Sequence, residues 1–556
     1  MSYLETPRIT FAGRFLSDTP TMNNDPASFG TADPPGPGWN PYGSGAFDLL
    51  ECVVTGGRRE RAAPPLPTGS LTGLAVLTSP DQVAAKLVDL DPDWQVSSEI
   101  WGLTVRLAGP DGRTLLSGRY RPAAFRDLWP RGGAGGDAML GATFTSVLED
   151  LRYGPAARTV PLLAELRETS PERLSIGLNL YGFSARSGSA AFATGRLSGC
   201  IGPWRPGEPL SFVAGRRLDL GNLAPDLSFG RAVAVVTGNR LVLDLGNAFP
   251  FAAPPAVAGT VHPLAARIGV AVLPGEHVRT GDVLDDANVL HIGTADLLPA
   301  LPPAGIVSFP LTPQTAAALE HRPLALLTPL PRGRRRVISR ESRDGLYVRA
   351  DDFVHRVEAG TSAAVTLHAR RRGRPAGGLT IHLEPVRGSR SVLTVPESVQ
   401  TGPDGTAIVT PAAGDPGNPR RGLDGIVETI AYSPRRTPGG DLDLYGSGLD
   451  PDLDVVIAHV RDAYTPPAQE HLEREVQRIL APYARHYPIM GEHLVDLADL
   501  DAVRRWRAAM LLALSREITD PNHMPVTRDL SDPKRATVLR WLRNLPPPMA
   551  APHPGT

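Results

Sequence analysis

The positions of the histidines limit where imidazole chemistry is available, because all 13 lie at or beyond His262. Two of them, His355 and His523, follow an aspartate by three residues, at Asp352 and Asp520. A carboxylate beside an imidazole fixes its tautomer and raises the basicity of the other ring nitrogen, which suits a metal or haem ligand. Chance also produces this spacing, so a packed histidine is the alternative for each pair.

The common catalytic signatures are missing from the sequence. HExxH, ExxH, the P-loop, GxSxG and a GxGxxG between a strand and a helix do not occur, so metalloprotease, di-iron, nucleotide-binding and serine-hydrolase mechanisms have no support. Cys52 and Cys200 are the only cysteines and form no CxxC pair. A disulfide framework and a cysteine zinc site are therefore excluded.

The length and composition indicate a globular protein of several domains. The 556 residues carry 57 basic and 58 acidic side chains, and this balance argues against a nucleic-acid partner. Glycine and proline, 57 of each, predict many turns between short elements. The N-terminus lacks the apolar core of a signal peptide, and no apolar run reaches the ~18 residues of a membrane helix. We expect a cytoplasmic protein without membrane contact.

The elements that would position these residues begin with a β-rich body over residues 1–340, in two lobes that divide near residue 225. Short apolar runs between glycine, proline, asparagine and aspartate predict its strands. The sequence pattern also predicts two helices, over Thr145–Tyr153 and Val160–Thr169. An arginine-rich linker is predicted at the end of this body, at Arg332, Arg334, Arg335, Arg336 and Arg340.

Residues 341–450 predict an immunoglobulin-like β-sandwich, because apolar and polar residues alternate between turn signals. The alternation places His368 and His382 on the face away from the apolar residues, where we expect them to be solvated.

The period changes to that of helices over residues 451–545. One apolar stripe runs from Leu472 to Tyr483, with Thr465 as the predicted N-cap, and a second runs from Val503 to Ile518. A third helix starts at Asp532. We expect a three-helix subdomain, a disordered tail at residues 546–556, and a mainly β (α+β) fold class overall.

Several ordered motifs carry a family resemblance. They include Pro7–Gly13, Pro20–Pro26, Ala214–Arg216, Leu346–Tyr347, Tyr487–Met490 and, most specifically, Met524–Lys534, which contains one of only two lysines. With these motifs the chain resembles the imine-dimer synthases of violacein, rebeccamycin and staurosporine biosynthesis. Those enzymes couple two molecules of indole-3-pyruvate imine.

The resemblance implies haem as cofactor, an aromatic small-molecule substrate and a homodimer. His355 falls where the family also has a histidine, so the resemblance makes it the candidate catalytic residue and haem-iron ligand, with Asp352 orienting it. The other candidate cofactor-binding residues are Arg8, Asn23, Asp25, Arg216 and His523. Arg8 would meet a haem propionate as a bidentate partner or, alternatively, shape a buried turn.

The chain also departs from the family. Thr10, Ala46 and Gly195 stand where the family tends to carry histidines, and we expect the chain to lack the family's C-terminal ferritin-like domain. The leading hypothesis is a haem-dependent oxidative enzyme of specialised metabolism that acts on an aromatic amino-acid-derived imine or a related small molecule. The alternatives are a non-catalytic scaffold that complements a separately encoded oxidase or ferritin-like partner, and a surface or assembly protein.

Overall fold

Strands are the commonest regular element of the molecule, and helices are concentrated near its C-terminal end. The computed structural model describes residues 2–18, 43–59, 71–79, 83–92, 94, 97–131, 140–185, 193–224, 227–251, 262–296, 304–386, 388, 391–420, 422–451 and 454–545. The fold is mainly β, as the sequence predicted.

The first twelve strands form one antiparallel sheet with the order β3-β6-β7-β10-β11-β12-β1-β2-β4-β5-β8, and β9 pairs with β10. They are β1 (Arg8–Ser17), β2 (Ala46–Arg58), β3 (Val76–Leu77), β4 (Ala85–Val88), β5 (Glu99–Trp101), β6 (Thr104–Ala108), β7 (Thr114–Tyr120), β8 (Ala123–Ala124), β9 (Arg126–Pro130), β10 (Leu140–Tyr153), β11 (Leu174–Ala185) and β12 (Ala193–Pro203). Helix α1 (Pro161–Thr169) buries three leucines against this sheet and confirms the helix predicted there.

The other helix predicted in this region is wrong, because Thr145–Tyr153 is part of strand β10. The segment lies between β7 and β11 and pairs with both. Two flanking strands satisfy its backbone groups in the extended conformation, and threonine and valine favour that conformation. Tertiary pairing therefore decides the structure of a segment whose local pattern was ambiguous.

Two glycines of β12 make room for aromatic rings of β1. A Cβ atom at Gly199 would lie 2.3 Å from Phe11 Cζ, and one at Gly195 would lie 2.4 Å from Phe15 Cε1. Both phenylalanines are fully buried. The space beside position 195 is therefore filled by the ring of Phe15.

The next eleven strands build two smaller antiparallel sheets and a ribbon. They are β13 (Arg216–Leu218), β14 (Gly221–Ala224), β15 (Leu227–Phe229), β16 (Ala232–Thr237), β17 (Arg240–Asp244), β18 (Arg267–Val272), β19 (Val283–Asp285), β20 (Leu290–Asp296), β21 (Ile306–Pro310), β22 (Leu324–Leu330) and β23 (Arg334–Arg340), with helix α2 (Pro313–His321) before β22. The sheet orders are β13-β16-β17-β21 and β19-β23-β22-β18-β20, and β14 pairs with β15.

The predicted arginine-rich linker is wrong, because residues 334–340 form strand β23. This strand pairs with β22 through a tight turn in which Arg332 and Gly333 have positive φ. Val337 and Ile338 are fully buried, and their packing stabilises the strand. Most of the arginines of the strand remain at least partly exposed.

An immunoglobulin-like sandwich follows, which confirms that part of the fold class. Its strands are β24 (Leu346–Asp351), β25 (Val354–Val357), β26 (Val365–Arg371), β27 (Arg374–Pro375), β28 (Thr380–Pro385), β29 (Leu393–Thr394), β30 (Ser398–Gln400), β31 (Thr406–Val409), β32 (Ala412–Ala413), β33 (Ile426–Ser433) and β34 (Val455–Val460). One sheet contains β24, β26, β27 and β31, and the other has the order β25-β34-β33-β28-β30. Strand β25 runs parallel to β34.

The expectation that His368 is solvated is wrong, since its exposed fraction is 4%. The ring of Phe212, from the N-terminal body, packs edge-on at 5.6 Å against the imidazole. The outer face of β26 is therefore covered by another part of the molecule, which strand alternation alone does not reveal. His382 is half-buried.

Five helices end the described chain, and their packing forms a separate apolar core with Val88 and Trp101 of the first sheet. They are α3 (Leu472–His486), α4 (Pro488–His493), α5 (Leu500–Arg505), α6 (Arg507–Leu514) and α7 (Asp532–Asn544). Helices α3 and α7 confirm the first and third predicted helices. None of the helices within the described ranges is long and apolar enough to cross a membrane.

Two details of these helices differ from prediction. Helix α3 begins at Leu472 and not after Thr465, because Pro466 and Pro467 follow that threonine and a residue before proline disfavours the helical region. The second predicted helix is divided into α5 and α6 at Trp506 and ends at Leu514.

Candidate small-molecule cleft

A cleft of about 420 Å³ lies between the sandwich and the C-terminal helices. Residues 422–424 and 462–464 supply the sandwich side, and helix α3 with residues 529–534 supplies the other. Small-molecule sites commonly occupy ~300–1,000 Å³. This helix–sandwich cleft therefore has the volume of a site for a small organic ligand.

Lys534 and Asp424 form an ion pair in the cleft, with Nζ 2.7 Å from Oδ1. The second carboxylate oxygen, Oδ2, is buried and has no hydrogen-bond partner among the residues that the structure describes. Burial raises the pKa of Asp424, against the lowering effect of Lys534. The pair thus offers an ammonium group with donors to spare and a carboxyl group that holds a proton more readily than usual.

Aromatic side chains of helix α3 lie beside this pair. The His486 ring meets the Tyr483 ring at 6.3 Å and 78°, and Tyr487 stacks parallel to Tyr483 at 6.4 Å. Burial raises the pKa of Tyr483 well above its ordinary value and lowers the pKa of His486 to about 4, so both rings are uncharged at neutral pH. An uncharged aromatic wall next to a charged pair suits a planar ligand with one charged end.

Two other carboxylates at the cleft are used by the fold. Asp462 accepts hydrogen bonds from the backbone amides of Asn418 at 2.7 Å and Gly425 at 2.8 Å. Asp529 accepts from the Thr527 hydroxyl at 2.7 Å, and burial raises its pKa. These contacts hold the loops that form the walls.

Arg528 fixes the segment that carries Lys534. Its side chain is only 1% exposed and donates to the carbonyls of Ile518 at 3.1 Å and Asp520 at 3.0 Å. Its guanidinium lies 5.1 Å from the ring centroid of Trp101. The segment with the most specific family resemblance is therefore anchored to the first sheet, and helix α7 presents Lys534 to the cleft.

His355 lies away from the cleft, on strand β25 at the edge of its sheet. Its Nε2 atom is buried without a hydrogen-bond partner among the described residues, and burial lowers the pKa of the ring. It shares a strand face with Val357 of the sandwich core. Arg356, on the opposite face, pairs instead with Glu99 of the first sheet at 2.5 Å.

The carboxylate of Asp352 pairs with Arg121 at 2.6 Å. His355 meets Asp352 through a hydrogen bond to its backbone. The two predicted partners are thus adjacent, and the side chain proposed to orient the imidazole is engaged by an arginine of the first sheet.

The remaining predicted site residues are dispersed. Arg8 is buried and donates to the Leu4 carbonyl. Arg216 pairs with Glu341 at 2.6 Å, and His523 contacts the Arg516 carbonyl through Nδ1 at 2.9 Å. Asn23 and Asp25 lie outside the described residues, as does the predicted tail at 546–556.

The surroundings of His355 do not fit haem. Its unpartnered Nε2 belongs to a ring whose strand face carries core residues of the sandwich, and the cavities of about 420 and 580 Å³ are lined by other side chains. His486 does border the cleft, but Asp424, Asp462, Asp529, Glu475 and Lys534 give that space a strongly polar lining, whereas a macrocycle presents wide apolar faces. In the described part of the chain, no three His, Cys, Asp or Glu side chains are grouped to hold a metal ion.

Sequence reasoning missed Asp424 and the assembly of the cleft. Asp424 and Lys534 are 110 residues apart in the chain, and no local pattern joins them. A partial signal was present, because Lys534 is one of only two lysines and falls inside the most specific motif. The two tyrosines that flank His486 in sequence were a second signal.

Comparison with known proteins gives one distant relative and no matching family model. The chain is 25% identical over 630 aligned positions to dichlorochromopyrrolate synthase from Lentzea aerocolonigenes. The match covers 98% of this chain and 56% of the relative, so the chain spans little more than half of that protein's length.

Solved structures add nothing to this. The D00-D0 domain of intimin is 10% identical and covers 29% of this chain and 73% of its own, at a TM-score of 0.15. Domains 1–6 of the surface layer protein SbsC are 10% identical and cover 76% and 53%, also at a TM-score of 0.15. Such scores carry no argument about fold or function. In sequence, the chain is a distant homologue of dichlorochromopyrrolate synthase, aligned along nearly its whole length with part of that protein.

Proposed function

We propose that this chain acts in natural-product biosynthesis and binds a small aromatic carboxylate, derived from an amino acid, in the helix–sandwich cleft. The observation that carries the proposal is the Lys534–Asp424 pair beside the uncharged rings of Tyr483 and His486. The distant relation to a chromopyrrolate synthase supports the same class of ligand.

Each group has a distinct part in binding. The Lys534 ammonium pairs with the ligand's carboxylate, and charge-assisted hydrogen bonds of this kind are the strong ones. The aromatic ring of the ligand packs on Tyr483 and His486. The Oδ2 atom of Asp424, which has no partner among the described residues, accepts a hydrogen bond from the ligand's amine or imine nitrogen.

Asp424 also provides for proton transfer. Its pKa is raised by burial, and a carboxyl group whose pKa moves towards neutrality is better suited to general acid–base work. This chain would therefore bind and orient the ligand, and Asp424 would take up a proton from the ligand nitrogen that it accepts a hydrogen bond from. No step is routed through haem, because the residues around His355 do not fit that group.

The test is binding measured by saturation-transfer NMR with indole-3-propionate and phenylpyruvate. Wild-type protein should show saturable binding of at least one of them. Lys534→Gln should weaken it by on the order of tenfold, the size expected for loss of a charged hydrogen bond. A matched control is Arg374→Gln, which removes a surface ion pair to Glu320 of similar length, 2.9 Å.

The control variant should bind as the wild type does. Absence of saturable binding to the wild type would contradict the proposal, and so would equal affinity of Lys534→Gln and wild type.

A further inference from the structure

Four arginines converge where the first sheet, the β13 sheet and the sandwich meet. They are Arg126 of β9, Arg217 of β13, Arg231 just before β16, and Arg349 of β24. All four are at least nine-tenths buried. We call this group the arginine junction; it is separate from the helix–sandwich cleft, with which it shares no lining residue.

Three of the four arginines have carboxylate partners. Arg349 lies 2.6 Å from Asp127 and 3.2 Å from Asp454. Arg217 lies 2.6 Å from Asp454. Arg231 lies 3.4 Å from Asp450. Their charges are compensated, as buried charges must be.

Arg126 is the exception. Its exposed fraction is 2%, and none of the described carboxylates lies within ion-pair distance of it. Nη2 donates to the Ser211 hydroxyl at 3.0 Å and to the Ala350 carbonyl, and Phe353 covers the guanidinium at 3.9 Å. Asp351 is reached only through Ser211, whose hydroxyl donates to it at 2.8 Å.

Burial and the neighbouring Arg349 lower the pKa of Arg126 to about 10, so its guanidinium is still charged at neutral pH. An uncompensated buried cation is costly, and proteins normally pair such a group. Within the arginine junction, Arg126 is therefore the one guanidinium that has no carboxylate partner among the described residues.

A cavity of about 50 Å³ adjoins all four arginines. Five guanidinium nitrogens of its lining are buried and have no hydrogen-bond partner in the described part of the chain, namely Nε and Nη1 of Arg126, Nε and Nη1 of Arg217, and Nε of Arg231. Among the described lining atoms, the acceptor without a partner is Asn247 Oδ1. A ligand that satisfies this set must therefore accept many hydrogen bonds and need donate few.

The volume of the cavity further limits which ligands can occupy it. A buried water needs roughly 10–15 Å³ of this volume, so the space holds on the order of four waters or one small anion. Water donates two hydrogen bonds for every two that it accepts, whereas an oxyanion only accepts. We propose that the arginine junction binds a small inorganic oxyanion, such as phosphate, with Arg126 as its principal charge partner.

Such an anion would connect three parts of the fold through hydrogen bonds. Arg126, Arg217 and Arg349 belong to three different sheets, and one acceptor hydrogen-bonded to several of them would hold those sheets together. A ligand that binds only the folded state raises the melting temperature in a saturable way.

The test is a titration of the wild-type protein with sodium phosphate, with sodium chloride at matched ionic strength as reference. The melting temperature should rise and saturate at millimolar phosphate, and the ³¹P resonance of phosphate should broaden in the presence of protein. Phosphate also stabilises proteins non-specifically, but that effect does not saturate at low concentration. A linear rise, or no rise above the chloride reference, would overturn the proposal.

Arg126→Met is the diagnostic variant, because an apolar residue of similar shape often replaces a buried charge without loss of the fold. It should lose the saturable phosphate effect. Arg131→Met is the matched control, since Arg131 is buried among Tyr181, Phe249 and Phe251, outside the lining of this cavity. If Arg126→Met keeps the wild-type phosphate response, the assignment is wrong. If Arg126→Met fails to fold, Arg126→Lys replaces it as the test variant, and its phosphate binding should be roughly tenfold weaker than that of the wild type.

Discussion

At the scale of single residues, the contrast between His355 and Asp424 decides where chemistry can occur. Both have a buried polar atom without a partner among the described residues. The atom of His355 belongs to a half-buried ring on the same strand face as Val357, away from the cleft, whereas Asp424 lines a cleft large enough for a ligand. The same kind of orphaned atom is thus a packing cost in one place and a recognition group in the other.

His355→Leu tests the packing interpretation of His355. The change removes a buried nitrogen that lacks a partner, and such a group costs about 1–3 kcal/mol, so we expect the free energy of unfolding in urea to stay equal or rise. We also expect no change in the absorption spectrum of the protein after haem supplementation. A Soret band in the wild type that disappears in His355→Leu would contradict this interpretation and restore His355 as a haem ligand.

At the scale of elements, α3 and α7 were predictable because each carries a long apolar stripe at helical period. Helix α7 adds a proline at its first turn and a proline run soon after its end. The segment 145–153 was not predictable, because two neighbouring strands from other parts of the chain determine its conformation. The burial of His368 likewise depends on Phe212, which is far away in sequence.

Leu542→Ala tests how helix α7 is held. Leu542 is fully buried in the C-terminal core, and truncation of such a leucine costs about 2–5 kcal/mol. Leu539→Ala, on the same helix but only partly buried, should cost clearly less. Urea unfolding monitored by circular dichroism measures both, and equal costs for the two variants would contradict the packing described for α7.

At the scale of the whole molecule, buried polar contacts join the parts. Arg356 of the sandwich pairs with Glu99 of the first sheet and also donates to the Thr527 carbonyl at 3.2 Å. Arg420 pairs with Asp91 at 2.7 Å across the same boundary. The separate β and α regions were predictable from the sequence, whereas these contacts were not, because each joins segments more than 100 residues apart.

Lowering the pH should weaken the contacts between these parts of the molecule, and the protonation of His459 offers a direct test. His459 is 1% exposed, contacts the Asp424 carbonyl at 2.8 Å, and its pKa is lowered by burial to about 4. The pKa of a histidine in an unfolded chain is ~6.5. Between this pKa and the folded value of about 4, the unfolded chain therefore binds more protons at position 459 than the folded chain does. Stability from the neutral ring is complete above about pH 6.5 and is lost as the pH falls towards 4.

The comparison variant is His459→Gln, which cannot titrate. The difference in unfolding free energy between wild type and variant should shrink as the pH falls through this window, by up to about 1.4 kcal/mol per pH unit. Comparing the two proteins cancels the opposing contributions of buried carboxyl groups such as Asp219, whose pKa is raised by burial to about 6. A difference that is constant between pH 7 and pH 4.5 would contradict the burial of a neutral His459.

The central claim is that Lys534 recognises a ligand carboxylate in the helix–sandwich cleft, and calorimetry with a matched pair of ligands tests it most directly. Indole-3-propionate and indole-3-propionamide share the ring and differ in charge, so only the first should depend on Lys534. We predict that Lys534→Gln weakens binding of the carboxylate by about tenfold and leaves binding of the amide unchanged. Equal losses for both ligands, or none for either, would contradict the claim.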